Sequence, residues 1–534
     1  ISGDAVQQGA VVFGGGSDVM TLAGTALFNG SVDFGGGTDQ FTLTGTSAFS
    51  GTLAGAANLA IRVDSGTLAV NAPTQIASLA VGKDGVLVAT LNKAAGTGSA
   101  YTVTGAASFA EGATLSLRLA DVSTAEGRYQ VLTAGSIAGL DKLKTVTDYV
   151  PFMFKAALDK TAAVNMIVVD IARRTTDELG LNRSQASAYD AVFKALSSDE
   201  KIEDVFLGIT DADVFRDSVG QMLPDHAGGS FEAISLGVRT LARQLQDPQS
   251  PLVSNDRLST TLNLGFWGSD KDKGASAAYD LHGYGFSLTT EYETGIGRFG
   301  GTLGYLWNQY TDGPRSNVRS DSFEAAAHWR GQFGAFGGFA RGSIGHASFD
   351  SSRKFIGSLG TEAVQRTIAG DWNGTFTTFA AGMSAEGGSR VFFFRPAVSL
   401  DYIRLSEDGY SEAGGGKALD LTVQSRKSDE MAANAGLTLG MDVLGMGARD
   451  ESWVRIETEG GWREIVSGGL AATTAQFEGG NSFTLQGDDS SSGWFARLRA
   501  FGGPSGFTMG GELSAEDRRG DVNLALRGSL KVSG

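Results

Sequence analysis

Tyr284-Gly285-Phe286-Ser287-Leu288-Thr289-Thr290-Glu291-Tyr292 decides how the C-terminal half of this 534-residue chain is read. Side chains of an extended strand point alternately to opposite faces, so Tyr284, Phe286, Leu288, Thr290 and Tyr292 share one face. Gly285, Ser287, Thr289 and Glu291 share the other. One face suits hydrocarbon, the other water. The pattern returns as Phe323, Ala325, Ala327, Trp329 against Glu324, Ala326, His328, Arg330. It recurs as Val454, Ile456, Thr458 against Arg455, Glu457, Glu459, and as Leu524, Leu526, Leu530, Val532 against Asn523, Arg527, Ser529, Lys531.

Such strands leave backbone donors and acceptors along each edge, and a bilayer offers them no partners. The membrane solution is therefore a closed ring. About twelve runs stand between Gly-rich turns, centred near residues 262, 286, 305, 326, 340, 379, 398, 422, 456, 496, 511 and 527, and an even count is usual for single-chain bacterial barrels. Trp267, Tyr310, Trp329, Tyr402, Trp453, Trp462 and Trp494 fall near run ends, where amphipathic rings meet the membrane interfaces. A soluble sandwich also alternates and is the competing reading. Residues 255–534 are thus expected to form an antiparallel transmembrane barrel. Its inward row carries Glu291, Glu324, Arg330, Arg341, Asp401, Arg455, Glu457, Glu459, Arg497, Arg499, Glu512 and Arg527.

Composition agrees. With 77 glycines and only 8 prolines, and no collagen period, the glycines fit tight turns and close strand packing. A formal charge of -16 makes nucleic acid a poor partner, because phosphate binding needs a basic face. There is no cysteine, and no apolar run reaches the length of a helical span, so insertion must be by strands. No charged n-region or apolar h-region opens the row, so an export signal is expected to be removed or to lie outside it.

Upstream, residues 1–171 read as a β-solenoid. Phe13-Gly14-Gly15-Gly16-Ser17-Asp18 recurs as Phe34-Gly35-Gly36-Gly37-Thr38-Asp39, and Phe28-Asn29-Gly30 as Phe49-Ser50-Gly51. A period near 21 residues with short strands and Gly turns stacks one rung on the next. The repeat starts abruptly at Ile1, as the tail of a longer stalk would. Residues 127–171, with Val150 to Leu158 and Asn165 to Ile171, are expected to close the solenoid and to template the rungs above. Asp18 and Asp39 follow Gly-x-Gly as in part of a calcium-binding nonapeptide. The leading Gly is absent and the spacing is wrong, so turn glycines with Asp capping its own backbone are the simpler expectation.

Residues 172–254 are helical in pattern. Asn182 or Ser184 caps a helix to Leu196, and Ser197-Ser198-Asp199-Glu200 opens a second. A third stops at Pro224. The last, about 229–246, lines up Phe231, Ile234, Val238, Leu241 and Leu245, with Arg239 and Arg243 off that stripe, and ends at Pro248 and Pro251. Its length as a helix, about 27 Å, is close to the hydrocarbon thickness of a bilayer. A twelve-strand ring has room for about one helix, so this one is expected in or at the pore, its Arg239 and Arg243 within reach of lumen carboxylates.

The order of parts resembles the autotransporters of the type V secretion pathway. The residues that carry the resemblance are Gly14–Asp18 and Gly35–Asp39, the Gly127-Tyr129-Val131-Leu132 segment, Gln185-Ala186-Ala188-Ala191-Leu196, and Phe266-Trp267-Gly268 with Gly283-Tyr284-Gly285-Phe286. The row ends Lys531-Val532-Ser533-Gly534, where members of that family commonly end in an aromatic residue. The resemblance implies a right-handed parallel β-helix passenger and a twelve-stranded translocator with a helix in its lumen. It implies residence in a Gram-negative outer membrane, with the passenger on the cell surface. The partners it implies are outer-membrane lipid, the barrel-assembly machinery and periplasmic chaperones, and a surface ligand of unknown identity. No cofactor is expected. Residues 1–171 contain neither His nor Cys, and no Gly-x-Ser-x-Gly elbow or His-Glu-x-x-His occurs, so no catalytic site is expected and the passenger reads as adhesive or structural. A plugged pore, and a carrier of an enzymatic head upstream of Ile1, are the alternatives.

Overall fold

A computed structural model describes residues 1–92, 100–144, 150–159, 162–247, 257–313, 315–389, 391–444, 453–489, 491–504, 506–518 and 521–534. Pro248 and Pro251 lie outside these. The chain divides into two compact units. One comprises Ile1–Leu181, Phe193–Ser218 and Gly357–Val364, the other Asn182–Val192, Val219–Ile356 and Gln365–Gly534.

In the first unit the 21-residue period becomes a register: Val6 pairs with Leu27 and Leu27 with Ala48, all in parallel. A second parallel stack runs from Val19–Leu22 through Asp39–Leu43 to Leu59–Val70. Identical side chains fall above one another, so Phe28 stacks on Phe49 at 5.4 Å between ring centres and Phe13 on Phe34 at 5.3 Å. Leu22, Phe28, Phe41, Leu43 and Phe49 are fully buried. Backbones at neighbouring rungs nearly touch. A Cβ on Gly30 would sit 1.8 Å from the Gly9 carbonyl oxygen, and one on Gly51 1.7 Å from that of Gly30. The period then varies, shorter where Ala60 pairs with Ser78 and longer where Leu79 pairs with Ala107. Gly127–Ala138 pairs in parallel with Tyr101–Phe109 and antiparallel with Met166–Arg173, which pairs antiparallel with Phe154–Leu158. This reversal of direction ends the parallel stack.

Four helices follow: α1 (Arg183–Leu196), α2 (Glu200–Gly208), α3 (Ala212–Gln221) and α4 (Gly229–Ala242), the last continued by a 3-10 turn at Arg243–Gln246. Asn182 and Gln185 cap α1 reciprocally, each side chain accepting the other's backbone N–H. Asp199 caps α2 and Asp211 caps α3.

The second unit holds a closed antiparallel barrel of twelve strands. In order they are Leu258–Lys271, Tyr279–Thr294, Gly297–Asp312, Ser316–Phe333, Phe336–Leu359, Glu362–Ala385, Phe392–Glu407, Arg426–Leu444, Trp453–Gly469, Gly493–Gly503, Phe507–Arg518 and Asp521–Ser533. The tip of the hairpin between the fifth and sixth strands is grouped with the first unit. First and last strands close the ring through pairs such as Leu262 with Leu530. One expected run needs correction. Residues near 422 form only Leu421–Val423, part of a small four-stranded sheet with Tyr410–Ser411, Thr473–Phe477 and Ser482–Leu485, and the eighth strand begins at Arg426. That strand reads Ala432-Ala433-Asn434-Ala435-Gly436, too uniform in size for a periodicity to show.

Burial is inverted relative to a soluble protein. Leu303 is 69% exposed and Phe323 63%, whereas Glu457 is 0% and Arg499 1% exposed. A ring of apolar side chains this extensive, facing outward around a charged interior, belongs in lipid and not in a soluble sandwich. Outward aromatics form two belts. Tyr284, Trp307, Tyr402, Trp462 and Trp494 make one, and Tyr292, Phe299, Trp329, Phe333 and Phe392 the other. Tyr284 pairs with Trp307 and Tyr292 with Phe299. The eight intervening steps span about 27 Å along the strand, or about 21 Å of height at a usual tilt of about 40°.

Candidate functional site

The barrel interior is occupied by α4. Gly228, at φ +85°, turns the chain into it, and every residue from Gly229 to Val238 is buried. A helix buried all round must satisfy two different walls.

The wall made by the first strands is packed. Phe231, Ile234, Val238 and Leu241 are buried, and a Cβ added at Gly237 would lie 2.4 Å from Leu306 and 2.7 Å from Trp267. At Gly229 it would lie 2.6 Å from the Tyr310 ring. Glycines on one helix face thus let large rings of the wall approach the helix backbone. Trp267 is fixed in turn, its Nε1 donating to Asn308 Oδ1 at 2.7 Å.

The opposite wall is ionic. Arg518 Nε donates to Glu232 at 2.6 Å and Asn523 Nδ2 donates to the same carboxylate at 2.9 Å. Arg239 Nη1 reaches both oxygens of Glu516, at 2.9 and 2.6 Å. Arg243 bonds Glu512 and, at 2.9 Å, Ser514. At the helix start, Ser230 donates to Glu407 at 2.9 Å, and Arg426 ties Glu407 at 2.7 Å to Asp225 at 2.9 Å. Beyond its end, Asp247 accepts from Arg527 at 2.7 Å. Buried ion pairs are costly to desolvate, so their contribution is register and position more than stability.

The expected lumen charges sort into pairs. Arg330 donates to Glu291 at 2.5 Å, and His328 Nε2 is 3.0 Å from the same carboxylate. Arg341 lies 2.8 Å from Glu324, and Arg463 binds Asp401 at 2.7 and 2.8 Å. Arg455 takes Asp442 at 2.7 and 3.0 Å. Glu457 accepts from Arg395 at 2.7 Å and stands 3.3 Å from Arg499, and Glu459 accepts from Arg497 at 3.1 Å and from Arg499.

Sequence reasoning passed over Glu516, Arg518, Glu430, Arg463, Glu232 and Glu407. Glu516 and Arg518 share the parity of Glu512, and Arg463 that of Arg455 and Glu459, so longer runs would have captured them. Glu430 was lost with the misplaced eighth strand. In the solenoid, Asp39 Oδ1 accepts the backbone N–H of Asp18 at 2.9 Å. The Asp therefore caps the preceding rung and not its own turn. No group of three or more His, Cys, Asp or Glu able to hold a metal occurs among the described residues.

Residues 263–497 match the family model of the autotransporter beta-domain. Two curated relatives, esterase EstA of Pseudomonas aeruginosa and esterase EstA of Pseudomonas putida, are each 29% identical over 165 residues, 30% of this chain. The match spans 25% of the length of those relatives. Among solved structures, the translocator domain of autotransporter NalP from Neisseria meningitidis aligns with a TM-score of 0.44 and 16% identity, over 57% of this chain and 97% of that one. The transport unit of autotransporter AIDA-I from Escherichia coli gives 0.37 and 14%, over 58% and 99%.

Proposed function

We propose, from the premise that residues 263–497 are an autotransporter β-domain of the outer membrane, that this barrel exports residues 1–171 and anchors them at the cell surface. The observation that carries the proposal is the path of the chain. Residues preceding α4 enter one end of the lumen beside Glu407 and Arg426, and the chain passes Asp247 and Arg527 before the first strand begins at Leu258. Residues 219–228, within the second unit, therefore lead into α4 at the end opposite the start of the first strand. That same end carries the long strand connections, 408–425 and 470–492, while the other carries 295–296 and 334–335. Barrels of this kind keep short turns on the periplasmic side and long loops outside.

The stalk is assigned an adhesive or structural role. Its Asp33 and Asp39 carboxylates accept backbone N–H groups, and residues 1–171 hold no His or Cys nucleophile system. The energy for export comes from passenger folding outside, since no Gly-x-x-x-x-Gly-Lys-Ser/Thr loop is present to bind a nucleotide.

Protease shaving of intact cells expressing the full chain tests this. Residues 1–171 should be removed from the cells, as a released fragment or as digest, while a heat-modifiable barrel fragment survives. A passenger that becomes accessible only after the outer membrane is permeabilised would refute it.

A further inference from the structure

Because α4 lies against the first strands, the far side of the lumen is left as a cavity of about 380 Å³ between Arg239–Asp247 and the fourth to eleventh strands. Among the described residues its wall carries eight guanidinium groups and five carboxylates. Further balancing acids stand behind: Glu291, Glu457 and Glu512 are 3%, 0% and 1% exposed and do not line this cavity. Arginine is long and its charge sits at the tip, and guanidinium groups outnumber carboxylates where these ion pairs meet the open space.

Two donors on arginines that line the cavity make no hydrogen bond in the closed barrel. Arg239 Nη2 and Arg330 Nε are buried N–H groups with no acceptor, and the Arg330 side chain is 6% exposed. Arg497 stands over the Phe495 ring, its Cζ 4.2 Å from the ring centre, and gives a hydrogen bond to Glu459 through Nη1. A planar fork so fixed matches two oxygens of one oxyanion, and the low dielectric around it strengthens such bonds. The volume suits a small ligand.

We propose that this cavity is a binding site for a small oxyanion, phosphate- or carboxylate-bearing, held by Arg239, Arg330 and Arg497. The assignment is independent of the export reading, because it concerns the closed barrel at rest.

The test uses the full chain extracted in detergent and shown to be folded by heat-modifiable migration. Calorimetric titration with sodium phosphate, and separately with sodium citrate, is compared with sodium chloride at matched ionic strength. Saturable binding of phosphate or citrate beyond chloride is expected, and which of the two binds reports the oxygen geometry preferred. Arg497→Gln should weaken it by about tenfold or more, the scale of a lost charged fork. Arg404→Gln, an exposed position on the outer face, should leave it unchanged. If Arg497→Gln does not fold, Arg497→Lys, which keeps the charge and loses the fork, should show the same weakening. Binding no better than chloride overturns the proposal, as does binding that survives the folded Arg497 variant or is lost equally in Arg404→Gln.

Discussion

The solenoid and the barrel are written in the same alternation and bury opposite halves of it. In the stalk, Phe28, Phe41 and Phe49 go inward and Thr42, Ser50 and Thr52 look out. In the barrel, Phe286, Leu288 and Phe323 look out and Ser287, Thr289 and Glu324 go inward. Period two fixes which residues share a face, and only the solvent decides which face is covered. The charges mark the difference, since paired acids and bases alternate within barrel strands, whereas residues 1–61 hold four Asp and no Lys or Arg.

Backbone closeness separates the two regions most sharply. Gly30→Val should be the most damaging change, because its Cβ would meet the Gly9 carbonyl oxygen, and the loss is expected on the order of 4 kcal/mol or more. The check is protease resistance of residues 1–120. Gly460→Ala in the barrel meets nothing within 4 Å and should change barrel stability by less than about 0.5 kcal/mol.

Next comes the ionic wall. Glu516→Gln leaves Arg239 buried without its carboxylate, which should cost about 3 to 5 kcal/mol, read as a lower urea midpoint of the lipid-embedded barrel. The double variant with Arg239→Gln should recover part of this. A midpoint unmoved by Glu516→Gln would mean that α4 is held by its apolar face alone.

The outward row supplies a third probe. Leu288→Arg lies midway between the two aromatic belts and should cost about 2 to 4 kcal/mol in bilayers, measured by equilibrium unfolding into lipid. The similarly outward Thr42→Arg in the stalk should be nearly silent. Equal effects would erase the contrast between lipid and water.

The smallest effect is electrostatic and lies in the first unit. The Lys155 ammonium, 2.6 Å from Glu178, together with the Thr175 N–H holds that carboxyl at about 2, from an ordinary 4.5. A depressed carboxyl contributes stability above its ordinary value and loses it as pH falls through the folded value. Amide protection over Phe154–Leu158, corrected for intrinsic exchange, should therefore fall slightly between pH 4.5 and about 2. Lys155→Met should shrink that step, leaving the part due to the Thr175 N–H, and both groups are exposed enough for the effect to be minor.

Much of this was legible in the residues, and for identifiable reasons. Where large apolar and charged side chains alternate, as at 284–292, both strand and facing follow. Where Ala432 to Gly436 offer small side chains to both faces, no contrast survives, and the strand was displaced to the more colourful Leu421-Thr422-Val423. The 229–246 helix was visible as a stripe, but its polar flank gave no sign of which wall would answer it. Pairing across 269 to 286 positions, as in Arg243 with Glu512 or Glu232 with Arg518, depends on ring closure that no local pattern encodes.

The seam between Leu258–Lys271 and Asp521–Ser533 has a consequence in time. The strand that completes the cylinder follows α4 in the chain, with eleven barrel strands between. A bolt in place before the last staves close is walled in by them, and on that order of events α4 does not have to thread a finished ring. Trp267, Leu306 and Tyr310, which cradle Gly229 and Gly237, all belong to the first three staves laid. The half-built wall therefore carries its own mould, and the charged staves that arrive later have a surface to register against.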